Sequence, residues 1–279
     1  MLNNLAKEFL NDFSVEVTPK VYINNRDFIT KLFKNKRIFI AHIEGIKTAD
    51  IVETAKMIEE DGNIAVPHLP ARQVENNIQL ENRLELFKKE AGVREVLLIA
   101  GSNKKPYGDY DSSIQLIESG YFNSGFETIY FAAHPEGNKD IENAKFDLNT
   151  SLKLKKDFTN KTDAKVVLVT QFGFDIEQII SWAKSLSSNG IDLPIHIGVA
   201  GPAKLSKLIK YSIDCGIGPS LKILESNFSN INEMITTYSP NDFLNDLIEK
   251  TQLERVMNIE NIHFYPFGGI KELIKSIKN

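Results

Sequence analysis

The chain has little cysteine, little net charge and no long apolar run. Among its 279 residues there is a single cysteine, Cys215. One thiol forms neither an intramolecular disulfide nor a cysteine-rich metal site, and it agrees with a reducing compartment. The net charge of -4 leaves no basic footprint, so neither nucleic acid nor an anionic membrane is expected as a partner. No apolar run approaches the roughly 20 residues that span a bilayer. The opening segment MLNNLAKEFLNDF lacks the apolar core of a signal peptide, so a cytoplasmic location is expected. There is no Walker loop and no GxGxxG after a strand, and the histidines are not spaced as HExxH or HxH. No metal site is therefore expected. No linker, repeat or low-complexity tract interrupts the chain, so residues 1–279 are expected to form a single domain.

What is present is an alternation. With 42% hydrophobic and 25% charged residues, the composition is that of a globular protein with a sizeable core. Eight short apolar runs recur: 14–17 (SVEV), 38–43 (IFIAHI), 64–69 (IAVPHL), 96–100 (VLLIA), 128–133 (TIYFAA), 166–172 (VVLVTQF), 194–199 (PIHIGV) and 262–265 (IHFY). Amphipathic segments separate them. Thr48 or Asp50 can cap a helix carrying Ile51, Val52, Ala55 and Ile58. Residues 72–90 place Val74, Ile78, Leu84 and Phe87 on one stripe, and 112–119, 175–188 and 202–211 read as further helices. The long interval 200–261 is expected to hold several helices. Strands alternating with helices predict a parallel sheet with right-handed crossovers. Eight strands are what an α/β fold of the (β/α)8 TIM-barrel type needs, with an open doubly wound sheet as the alternative.

The most informative stretch is 165–175, KVVLVTQFGFD. Its apolar half suits a strand buried on both faces. Its exit places an amide, Gln171, between aromatics. An amide reads the edge of a flat polar ligand while an aromatic covers its face; the alternative is a loop amide bonded to nearby backbone. All five histidines (His42, His68, His134, His196, His263) fall in or at the end of a proposed strand. Glu16 lies within the first. In a parallel barrel the C-terminal strand ends carry the active face. For each histidine alone a backbone-bonding role is the simpler reading, but the proline-flanked His68 and His134 point towards a site. The turn 101–103 offers backbone N–H groups, and Lys153, Lys155 and Lys156 form either a solvated face or a phosphate contact.

Taken together, these strand ends resemble the methylenetetrahydrofolate reductase family. TQFGFD is similar to the family's TQFFFD, with Gly173 at the middle aromatic; SVEVTP resembles SFEFFPP, VPHL resembles APHL, and FAAHPEG resembles AAYPE. The resemblance implies a TIM barrel with FAD as cofactor, NAD(P)H as co-substrate and tetrahydrofolate derivatives as substrates; a homo-oligomer is left open. In that family hydride passes from NAD(P)H through FAD to 5,10-methylenetetrahydrofolate, giving 5-methyltetrahydrofolate for methionine biosynthesis. By motif match, Glu16 corresponds to the acid that serves N10. Gln171 corresponds to the glutamine on the pterin, and Tyr211 to an aromatic near the folate. Cofactor contacts are implied for His42, Ile43, His68, Ala100, Gly101, Ser102, Tyr110, Asp111, Ser112, His134, Asn138, Ser151 and Lys155. Ser102 is also implied near the substrate.

The chain departs from the family in three places. Ser102 stands where an Arg-Gly-Asp motif has its carboxylate, and Ile43-Glu44 replaces a Tyr-Gly pair beside the cofactor. The C-terminal regulatory domain of longer relatives is not expected. Two other readings stay open: a flavin-free pterin methyltransferase of the same fold, and a non-catalytic folate-binding protein. Losing a negative charge beside a flavin raises its potential. That would favour oxidation of 5-methyltetrahydrofolate. Ser102→Asp is expected to lower the potential in a dye-equilibrated redox titration; an unchanged value removes the charge argument.

Overall fold

The computed structural model describes residues 1–138, 147–215, 217, 218, 220, 222, 224 and 237–278. In chain order the strands are β1 (Ser14–Val17), β2 (Arg37–Ile40), β3 (Ile64–Pro70), β4 (Glu95–Ile99), β5 (Thr128–Ala133), β6 (Lys165–Phe172), β7 (Ile195–Ala200), β8 (Ala203–Lys204), β9 (Thr237–Tyr238) and β10 (Ile259–Tyr265). Eight of them close into a parallel barrel in the order β1-β10-β7-β6-β5-β4-β3-β2, so the open sheet is excluded. β8 and β9 form a separate antiparallel pair.

Each of the eight apolar runs contributes a barrel strand. β3, β6 and β7 are almost wholly buried along their length, as parallel strands covered on both faces must be. Register is direct where the strands pair: Val15 lies against Ile38, Ile38 against Ala65, and Val96 against Ile129.

The helices depart from expectation in informative ways. The helix after β2 spans Thr48–Glu60, but Lys47 holds the N-cap with no side-chain bond, so neither Thr48 nor Asp50 caps it. Residues 72–90 are not one helix. A 3-10 turn covers Ala71–Gln73, the Asn76 side chain caps a helix over Asn77–Glu85, and a π turn covers Leu86–Glu90. Phase is lost at each break, which leaves Ile78 71% exposed while Val74, Leu84 and Phe87 are buried. Asp175 caps the helix Ile176–Ser188 through the Gln178 N–H. The helix expected at 202–211 starts later, at Leu205, and runs to Asp214, because Ala203–Lys204 is taken by β8. In the interval 200–261 a second helix spans Asn241–Leu253; the other helices expected there lie outside the described residues.

Two compact units can be distinguished. One comprises residues 14–132 and 151–168, the other residues 1–13, 133–150 and 169–279. In the first, a buried polar network joins three strands. Glu95, the first residue of β4, pairs with Arg37 Nε of β2 at 2.9 Å and accepts from the Tyr130 hydroxyl of β5 at 2.8 Å. Burial and the adjacent carboxylate push the Tyr130 phenol up. In the second unit, Phe13 packs edge-on against Phe264 of β10 at 5.6 Å. Gly198 of β7 lets β6 approach closely. A Cβ there would sit 2.4 Å from the Thr170 carbonyl oxygen, and the Gly198 N–H donates to Thr170 Oγ1 at 2.8 Å.

Glu95→Ala would leave a guanidinium and a buried phenol without their carboxylate. It is expected to destabilise the protein by about 3 kcal/mol in urea titration, with Glu95→Gln costing less.

Candidate active site

Glu16 sits third of four residues in β1, between the buried Val15 and Val17. Strand alternation turns its side chain to the opposite face from theirs. Glu16 Oε2 lies 3.3 Å from His68 Nε2 of β3, with the histidine side chain 9% exposed and the glutamate 23%. The approach is of ion-pair length, yet it is not aligned as a hydrogen bond, and His68 Nε2 is buried without a hydrogen-bond partner. The phenyl ring of Phe39 meets the imidazole edge-on at 6.4 Å. A carboxylate and an imidazole thus face each other beside the Phe39 ring.

β2 ends at Ile40, so His42 lies beyond the strand. Its Nε2 is 3.0 Å from the Ile46 carbonyl, which fixes the ring. Burial, reinforced by the positive charge of Arg83, holds its pKa down at about 4. His42 Nδ1 is buried with no hydrogen-bond partner, as are Arg83 Nη1 and Asn103 Oδ1. Ile43 beside it is 53% exposed.

The turn after β4 is tied to the turn after β3. Ala100 accepts from the Arg72 N–H at 2.9 Å, and the Arg72 carbonyl accepts from Tyr107 N–H. Arg72 Nε donates to Asp111 Oδ1 at 2.6 Å, and Nη1 donates to the Asn103 carbonyl. Gly101 has φ 97, a left-handed backbone, and a Cβ there would come 2.9 Å from Pro70 Cβ. Ser102 is exposed. Tyr110 is buried, with its hydroxyl on Asn77 Oδ1. Ser112 forms a capping box with Gln115 at the helix Ser113–Glu118. Ala100, Gly101, Ser102, Tyr110, Asp111 and Ser112 therefore belong to one connected loop, held by Arg72.

Lys155 and Ser151 lie one turn apart on the buried face of the helix Leu148–Phe158. Lys155 Nζ donates to the Ala132 carbonyl of β5 at 2.8 Å, and burial lowers its pKa to about 8. It belongs neither to a solvated face nor to a presented phosphate contact, whereas Lys153 is exposed.

In the second unit, His134 directly follows β5 and is half-buried, as is Asn138. Gln171 lies at the exit of β6, and its Nε2 is buried without a partner among the described residues. The bland alternative for this amide, a bond from Nε2 to nearby backbone, is thus not what is found. Its backbone is well held. The Tyr265 hydroxyl donates to the Thr170 carbonyl at 3.0 Å, and Thr170 Oγ1 bonds the Gln171 carbonyl. Beyond it, Ser220 Oγ accepts from the Phe174 N–H at 2.6 Å, and Glu136 receives both the Ser220 N–H and its hydroxyl. Tyr211, on the helix Leu205–Asp214, stacks on Phe267 at 4.4 Å and 20°. Of the five histidines, His196 is the second residue of β7, near the strand's start and away from the C-terminal rim, and His263 is fully buried within β10.

The methylenetetrahydrofolate reductase pattern matches residues 12–271. The chain belongs to the methylenetetrahydrofolate reductase family. In three dimensions it is similar to an uncharacterized protein from Clostridium thermocellum that binds two copies of 5-methyl-5,6,7,8-tetrahydrofolic acid. The TM-score is 0.61 at 12% identity, covering 98% of this chain and 96% of that one. It is also similar to a Thermobacillus composti GH10 xylanase, with TM-score 0.46 at 11% identity over 95% and 87% of the two chains. At 12% identity the first of these speaks to fold alone.

Members of the methylenetetrahydrofolate reductase family are expected to hold a flavin. The partnerless buried atoms His42 Nδ1, His68 Nε2 and Asn103 Oδ1 fit the polar edge of such a group. Lys155 would have to leave the Ala132 carbonyl to meet a phosphate. Sequence reasoning missed Arg72, Asn103, Glu136 and Tyr265. Arg72 lay just beyond the quoted VPHL and Glu136 within FAAHPEG, but nothing in spacing shows which partner each meets. Among the described residues no group of three or more His, Cys, Asp or Glu is placed to hold a metal, and no helix is long and apolar enough to cross a membrane.

His42 is neutral when folded and takes up a proton more readily when unfolded. Its contribution is therefore intact above about pH 6.5 and declines as pH falls towards 4. The loss amounts to about 3 kcal/mol. In urea titrations between pH 7 and 4, wild type is expected to lose more stability than His42→Gln; parallel losses would contradict the assignment.

Proposed function

We propose that this protein interconverts 5,10-methylenetetrahydrofolate and 5-methyltetrahydrofolate with FAD as its hydride carrier. The observation that carries the reading is the Glu16–His68 pair: a carboxylate at its β1 position, 3.3 Å from an imidazole with little solvent access. Family membership and the unsatisfied amide of Gln171 support it. The Clostridium thermocellum protein of similar fold binds 5-methyltetrahydrofolic acid, which agrees with a folate substrate.

When bound, the flavin accepts and returns a hydride equivalent. The protein's part is proton handling and positioning. In the reductive direction Glu16 gives its proton to N10 as the five-membered ring opens. In the oxidative direction it takes the N10 proton as the ring closes. His68 Nε2, 3.3 Å from Oε2, orients the Glu16 carboxylate. Gln171 offers a donor and an acceptor to the pterin edge. His42, His68 and the 100–103 turn would hold the flavin, which would supply the hydride chemistry. Ser102, uncharged, leaves the cofactor a weaker reductant and favours the oxidative direction.

The test is the visible spectrum of the purified protein, followed by anaerobic addition of 5-methyltetrahydrofolate. A flavin spectrum that bleaches on addition is the expected result. A colourless protein that takes up no FAD yet binds folate would replace this reading with flavin-free methyl transfer. Glu16→Gln is expected to slow the folate half-reaction about 10²- to 10⁴-fold while leaving flavin bound; full activity in that variant would remove Glu16 from the chemistry.

A further inference from the structure

The first unit buries a charge without a counter-ion. Arg83, on the helix Asn77–Glu85, is 6% exposed. Its Nη2 donates to the Gln73 carbonyl at 3.0 Å, and its Nη1 is buried with no hydrogen-bond partner. Among the described residues, the carboxylate whose charge bears on it is Glu75, which is exposed. Burial lowers the Arg83 pKa, but a guanidinium is basic enough to stay protonated. A buried cation without an ion pair is costly, and nothing in the packing of the helix requires one.

Gln73 links this charge to His42. The residue whose carbonyl takes the Arg83 bond also donates its side-chain Nε2 to the His42 carbonyl at 3.5 Å. The His42 ring is fixed in turn, with Nε2 3.0 Å from the Ile46 carbonyl. Guanidinium, amide and imidazole are thus tied together, and all three residues are buried. His42 registers the charge of Arg83. Burial comes first in keeping its ring neutral and Arg83 second; the Ile46 carbonyl opposes them, and His68 adds a weaker charge of the same sign as Arg83 and a weak backbone contact. A field that disfavours a proton at one place favours electrons at the same place.

Resting on the flavin reading above, we infer that Arg83 is a redox-tuning residue, a fixed buried cation that raises the potential of a flavin held against His42. The reduced ring carries more negative charge than the oxidised ring, so a nearby positive charge in low-dielectric surroundings favours it. Arg83 acts through its field and touches no reacting atom in this role. Its effect has the same sign as that of the uncharged Ser102 and does not depend on it. Being buried, it is little screened by salt. One field acts on two added charges of opposite sign, a proton on His42 and the negative charge of the reduced ring. Removing it is therefore expected to raise the His42 pKa by about one unit and to lower the reduced-to-oxidised ratio of the flavin about tenfold.

The experiment compares wild type with R83Q and R83M, which remove the charge, and with R83K, which keeps it. Two quantities are measured on the full chain. The His42 pKa is read by NMR titration of isotope-labelled histidine without flavin. The flavin potential is read by dye-equilibrated titration with FAD bound, in low and high salt. R83Q and R83M are expected to show both shifts, at either salt concentration, and R83K to stay close to wild type in both. R83M stands in if R83Q does not fold. Either quantity unchanged in the uncharged variants overturns the role of Arg83. So does R83K shifting as far as they do, since lost packing and not lost charge is then the cause. FAD bound at an unchanged potential removes Arg83 alone and leaves the flavin reading standing. A wild-type chain that takes up no FAD overturns both.

Discussion

Closing a parallel sheet buries both faces of its strands, and that condition governs where polar side chains can sit. Inside such a barrel a charge persists only if it is paired and bonded. Glu95 meets the condition by taking Arg37 and Tyr130 together. Glu16 faces His68 at 3.3 Å.

The same condition explains the partnerless atoms. His42 Nδ1, His68 Nε2, Asn103 Oδ1 and Gln171 Nε2 are all buried without hydrogen-bond partners. His42, Asn103 and Gln171 lie at or beyond a strand end, where loops replace the regular ladder, and His68 lies within β3. The backbone beneath them is firmly tied, by Arg72 across the turns after β3 and β4, and by Tyr265 and Ser220 around the exit of β6. Rigid backbone with unsatisfied side chains is the combination that favours a ligand bringing its own donors and acceptors, since little conformational entropy is lost on binding.

Charge is distributed by the same logic on the outside. Lys155, drawn inward by its helix, donates a hydrogen bond to a strand carbonyl and loses basicity through burial. Lys207 stays at the surface, with Nζ 5.9 Å from the Tyr211 ring centroid. Two lysines of similar sequence context thus take opposite roles, decided by which face of a helix each occupies.

The sequence by itself determined the strands, the barrel and the family. Apolar runs short enough for strands, separated by amphipathic helices, leave few packings that bury them, and motifs such as TQFGFD carry their meaning in residue identity. Helix phase across 72–90 was not legible, because Asn76 capping and a π turn reset the periodicity that placed Ile78 inward. Nor was the position of His196, since a residue within a strand run can stand at either end of the barrel. Tertiary structure alone decided the partners: Glu16 with His68, Arg72 with Asp111, Lys155 with a carbonyl, Tyr265 with Thr170. These pairs join residues far apart along the chain, and a linear pattern records which side chains are present without recording the distances between strands.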